Sequence, residues 1–92
     1  MYLPLTNNPE ETFNIPIFNI VYNFRQLWNG NTFWSLDISD SDNISLASGI
    51  KIVAGENITG QYPQIPFNLI NSTTVDPGRL DLESFQLEVT EK

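Results

Sequence analysis

From Ile20 to Asp40 apolar and polar side chains alternate on both sides of Asn29-Gly30-Asn31. Ile20, Tyr22 and Phe24 share one parity, and Trp34, Leu36 and Ile38 share one parity too. Strand side chains point to opposite faces with period two, so the pattern predicts two half-buried strands. The Asn-Gly between them is a strong hairpin signal. A two-residue turn at Asn29-Gly30 would set Phe24 against Ser35 and Tyr22 against Asp37, with the apolar sets on opposite faces. A three-residue loop, Asn29-Gly30-Asn31, pairs Trp28 with Thr32, Phe24 with Leu36, Tyr22 with Ile38 and Asn23 with Asp37. A one-residue slip flips every side chain, so burial selects the second register. It places Asn31 in the left-handed region, which Asn tolerates better than most residues. Trp28, Phe33 and Trp34 crowd the turn end, as the lid of a core or as a surface for a partner.

The same reading extends along the chain. Tyr2–Leu5 alternates around Pro4 and is a short edge strand, because proline lacks the N–H that a central ladder needs. Residues 6–11 form a turn, and Phe13, Ile15 and Ile17 share a face in the strand that follows. Pro16 places that strand at an edge or a bulge. After the polar turn Asp40–Asn43, a long strand runs from Ile44 to Val53. Ile44, Leu46, Ile50 and Ile52 are expected on its buried face, and Gly49 marks a bulge or a close backbone approach. Ala54–Tyr62 reads as loop. Gln64–Ile70 is a strand with Ile65, Phe67 and Leu69 on one face. Asp76-Pro77-Gly78-Arg79 fits a type II turn with positive φ at Gly78. Phe85–Thr90 alternates cleanly and closes the sheet. Six or seven short strands at this spacing predict an all-β domain, a small antiparallel sandwich or barrel. Residues 1–92 form a single domain, with no repeat, no linker and no sustained helical periodicity.

Composition narrows the chemistry. The chain has no cysteine and no histidine, which removes disulfides, thiolate metal sites and the usual general base. Eleven acidic against four basic residues give a net charge of −7. That sign opposes binding to a nucleic-acid backbone or an anionic membrane. The N-terminus lacks the pattern of a secretory signal, and no apolar run is long enough to span a bilayer. Asn57-Ile58-Thr59 and Asn71-Ser72-Thr73 match the glycosylation sequon but carry little weight without such a signal. Asp37, Asp40, Asp42 and Asn43 cluster oxygen atoms, yet they lack the alternation, Gly and Glu of a Ca²⁺ loop and read as a solvated turn. The carboxylates lie in turns or on polar strand faces, with no sign of a glycosidase cleft. Gly55 and Gly60 do not make a phosphate loop. No enzyme and no cofactor or metal is expected. Leu27 and Phe33, two large apolar residues on a nominal solvent face, remain as interface candidates together with Trp28 at the turn end, because such patches mark partner surfaces. Arg25, near Asp37 on that face, reads as a surface ion pair.

An ordered set of landmarks goes further. The chain runs L-P-L-T-x-N-P-x-x-T-F (Leu3–Phe13), Y-N-F-R-x-x-W-N (Tyr22–Asn29) and F-W-x-L-D-I-S-D (Phe33–Asp40). Then come G-I-K-I-V-x-G (Gly49–Gly55), Q-Y-P (Gln61–Pro63) and D-P-G-R-x-D-L (Asp76–Leu82). Over nearly its whole length the chain resembles the cyanophage-type baseplate plug family of tailed bacteriophages. The resemblance implies a structural virion protein in the baseplate of a contractile tail, near the central hub below the tail tube. It also implies baseplate, hub and tail-tube proteins as partners, a homo-oligomer around the tail axis, and synthesis in the host cytoplasm. No catalytic residue carries over. After the last turn, Glu83-Ser84-Phe85-Gln86 stands where members carry a basic, Gly-containing stretch, so contacts by the final strand do not transfer. The alternative class is a free-standing sandwich that binds a peptide or glycan through the Trp28/Phe33 end.

Overall fold

A computed structural model describes residues 1–30 and 32–92. The described residues form six strands: β1 (Glu10–Ile17), β2 (Ile20–Asn29), β3 (Phe33–Asp40), β4 (Ser45–Lys51), β5 (Phe67–Ile70) and β6 (Glu88–Glu91). The first four form an antiparallel meander in chain order, and β5 and β6 pair antiparallel in a second sheet. The all-β reading therefore holds. One short 3₁₀ turn, Leu82–Ser84, is the helical element of the described residues. No helix there is long and apolar enough to cross a membrane.

Burial follows the alternation. Tyr22, Phe24, Trp34, Leu36 and Ile38 face inward and meet Phe67 and Leu69 of β5 and Leu87 and Val89 of the final segment. The Phe67 ring meets the Tyr22 ring at 5.1 Å and the Phe24 ring at 6.3 Å, which locks the two sheets face to face. Pro16 sits on β1, an outer strand, where a missing donor costs no ladder bond. The N-terminal segment is short and lies at an edge, as expected. Tyr2 bridges Glu88, and the Leu3 N–H donates to the Leu87 carbonyl.

Five expectations need correction. The β2–β3 register is two residues further on: Phe24 faces Ile38, Tyr22 faces Asp40 and Trp28 faces Trp34. The reason is that the Thr32 N–H closes back onto the Asn29 carbonyl, so Asn29 pairs with Phe33. A shift by two preserves faces, so burial alone could not detect the error. The left-handed conformation expected of Asn31 falls outside the described residues. Ile20 is exposed, not inward, because β3 ends opposite Tyr22 and β2 overhangs it.

On β4 the pairing slips twice, and Ala47 turns inward while Ile44 is exposed. Gly49 sits in the slipped stretch at φ +68, with open space where a side chain would stand. It is a bulge glycine and not a point of close approach. Gly78 does not take positive φ. The Asp81 carboxylate accepts its N–H, and a Cβ there would meet that oxygen at 2.7 Å, a crowding that the exposed Asp81 side chain relieves by swinging away at the cost of this bond. Finally, the last strand closes a second sheet with β5 and does not extend the first.

Candidate partner interface

The three interface candidates divide between two faces. Leu27 and Phe33 lie on the outer face as diagonal neighbours across β2 and β3, both half-buried. The Lys51 ammonium stands 5.4 Å above the Phe33 ring. Behind them, the Asn29 amide donates to Ser35 Oγ at 2.7 Å, and Ser35 is buried. Trp28 lies on the inner face instead. Its ring meets Trp34 edge-on at 5.3 Å and caps one end of the core.

Trp34 is the point where the sequence landmarks meet. It is fully buried, and its indole Nε1 donates to the Gly78 carbonyl at 2.8 Å. The Arg79 guanidinium covers its ring at 5.7 Å and donates to the Asn7 carbonyl. The Asn7 side chain in turn accepts the Glu83 N–H. Residues of the first, third and last landmarks thus form one cluster, held by bonds between segments far apart in sequence.

Gln26 is the residue that alternation passed over. It lies between Phe24 and Trp28 on the inward parity and is fully buried. Its amide oxygen accepts the Thr6 N–H, and its nitrogen donates to the Thr6 and Asn8 carbonyls. A glutamine within an otherwise aromatic face was the available signal, since a buried amide must find partners.

The acidic residues hold backbone. Asp37 accepts the bulged Gly49 N–H on one oxygen and Arg25 on the other. Arg25 also donates to Glu10 at 2.6 Å. The hydrogen bond and charge of Glu10, then those of Asp37, raise the guanidinium pKa further above its usual value. These side chains are substantially exposed, so the pairs contribute little stability. Asp40 accepts the N–H groups of Asp42 and Ile44, and Asn23 ties that turn to β2. Among the described residues no group of His, Cys, Asp or Glu is arranged to hold a metal ion. The sequon residues Asn57 and Asn71 donate internally, to Asn68 and to the Gln86 carbonyl.

A trough of about 520 Å³ crosses the outer face of the four-stranded sheet. Thr12, Asn14, Asn23, Arg25, Asp37 and Ser39 are among its lining residues. It is polar on its outward side chains, whereas Phe24 is buried in the core and stacks there on Phe13.

Comparison with known families gives one finding. The family described as the cyanophage baseplate Pam3 plug gp18 matches residues 1–90. A search of curated proteins found no match.

Proposed function

The chain belongs to the cyanophage baseplate plug family, and on that footing we propose that it is a non-enzymatic structural subunit of a contractile-tail baseplate. It sits near the central hub, below the tail tube, and helps close the channel until the tail fires. Copies assemble around the tail axis and contact hub and tail-tube proteins. The observation that carries this reading is the family match over residues 1–90 of a 92-residue chain.

The side-chain chemistry supports it. Asp37 and Asp40 serve the backbone of turns and bulges, which suits a scaffold. The net charge of −7 would keep the plug from adhering to DNA that later passes the channel. Leu27 and Phe33 on the outer face, with Trp28 at the rim of the core, are the contact residues of this reading.

The test is the mass of the purified protein in solution, alone and mixed with hub proteins of the same phage, by light scattering. A defined complex is expected. A monomer that ignores every tail protein would refute the proposal.

A further inference from the structure

The β1–β2 hairpin turns on Phe18 and Asn19, at φ 51 and 69. Consecutive positive φ values are the mirror-image turn geometry, which favours Asn and Gly. A bulky residue at positive φ is a conformational outlier. Burial does not explain Phe18 either, since it is 52% exposed. Neither the local backbone nor the core accounts for phenylalanine here, and strain of this kind collects where a contact is made.

Its surroundings form a patch. Ile20 and Val21 follow it, exposed, on the stretch of β2 that extends past the end of β3. Ile44, also exposed, stands on the β3–β4 turn at the same end of the sheet. No charged residue occurs from Phe13 to Phe24. The nearest charges in the meander at this end are Asp40 and Asp42, both acidic. The basic residues are engaged elsewhere: Arg25 by Glu10 and Asp37, Lys51 over Phe33, Arg79 on Asn7, and Lys92 on the Thr59 and Tyr62 carbonyls. A second copy would bring the same acidic border to the contact, so charge complementarity selects a different protein.

We propose that the tip of the β1–β2 hairpin, anchored by Phe18, docks into an apolar, basic-rimmed socket on another baseplate protein. This rests on the plug reading, and it places a contact at the end of the sheet opposite Trp28 and Phe33.

The experiment uses baseplates purified from particles in which the gene for this chain is disrupted. Wild type and Phe18→Asn are added back, and binding is measured at low and high salt. Asn suits the left-handed turn, so the variant should melt no lower than wild type. Its affinity should fall at least tenfold, as for a buried aromatic anchor. Equal binding by Phe18→Asn overturns the docking tip and leaves the plug reading intact. Failure of wild type to bind overturns both. Binding that does not weaken with salt removes the basic rim and thus the choice of partner. Self-association of wild type that Phe18→Asn abolishes reassigns the tip to a contact between copies and overturns the proposal.

Discussion

Replacing Gln26 tests whether the N-terminal arm is held by a buried amide or merely lies over it. The side chain is fully buried and makes bonds of 3.1 Å from the Thr6 N–H, 2.9 Å to the Thr6 carbonyl and 2.8 Å to the Asn8 carbonyl. Asn8 is exposed, so water replaces that bond, whereas Thr6 is half-buried. Two bonds left unmet at about 1 kcal/mol each cost about 2 kcal/mol. The space vacated by Gln26→Ala adds about 1–2 kcal/mol. The sum, about 3–4 kcal/mol, corresponds to a fall in Tm of roughly 15–25 °C for a domain of this size. Gln26→Leu fills the space and isolates the hydrogen-bond loss, about 2 kcal/mol. Urea unfolding followed by tryptophan fluorescence measures both, since Trp28 and Trp34 lie on the same inner face. Gln26→Glu keeps the acceptor for Thr6 N–H but faces two carbonyls without a donor when ionised. It should be less stable at about pH 7 than at about pH 4, where its proton restores a donor. If Gln26→Leu is as stable as wild type, the amide contributes nothing net and the reasoning fails.

Trp34→Phe removes the bond to the Gly78 carbonyl and part of the Arg79 cover, and should cost about 2–3 kcal/mol in chemical denaturation. Gly49→Ala meets no atom within 4 Å, so its cost of about 1 kcal/mol is backbone strain alone, and Gly49→Asn should recover part of it. Burial raises the Tyr22 phenol above its usual value of 10.0. The folded state thus favours the neutral form, and this contribution is present below about pH 10 and lost as pH rises through the folded value. Tyr22→Phe should flatten that part of the alkaline unfolding profile, and an unchanged profile would count against it.

Alternation made the β1–β4 meander and the inward set Phe24, Trp34, Leu36 and Ile38 legible, because a half-buried sheet writes its faces into sequence with period two. It could not fix the register, since a shift of two residues between Phe24 and β3 leaves every face unchanged. It misread β4 because the bulge at Gly49 breaks the parity on which the inference depends and turns Ala47 inward, while Ile44 lies in the turn before the strand and is exposed. The candidates Leu27 and Phe33 were correctly set on the outer face, but Trp28 was separated from them by a single parity step. Gln26 and Asn7 were missed because their partners are distant in sequence. The landmark motifs identified the family, yet their spatial convergence on Trp34 needed the fold.

On the proposed reading, in which copies assemble around an axis, the bulge on β4 also bears on how they would meet. Open sheet edges invite further strands, and a subunit packed repeatedly around an axis brings such edges close at high local concentration. Here β1 carries Pro16 and begins with two glutamates, and β4 is kinked and ends in Lys51. Both margins of the meander resist strand addition, so stacking into a continuous filament is disfavoured. In such an assembly, neighbours that meet at the meander would be held by side chains on faces and tips. Such contacts would separate without tearing main-chain ladders, so an assembly of the kind proposed above would come apart without breaking its sheets.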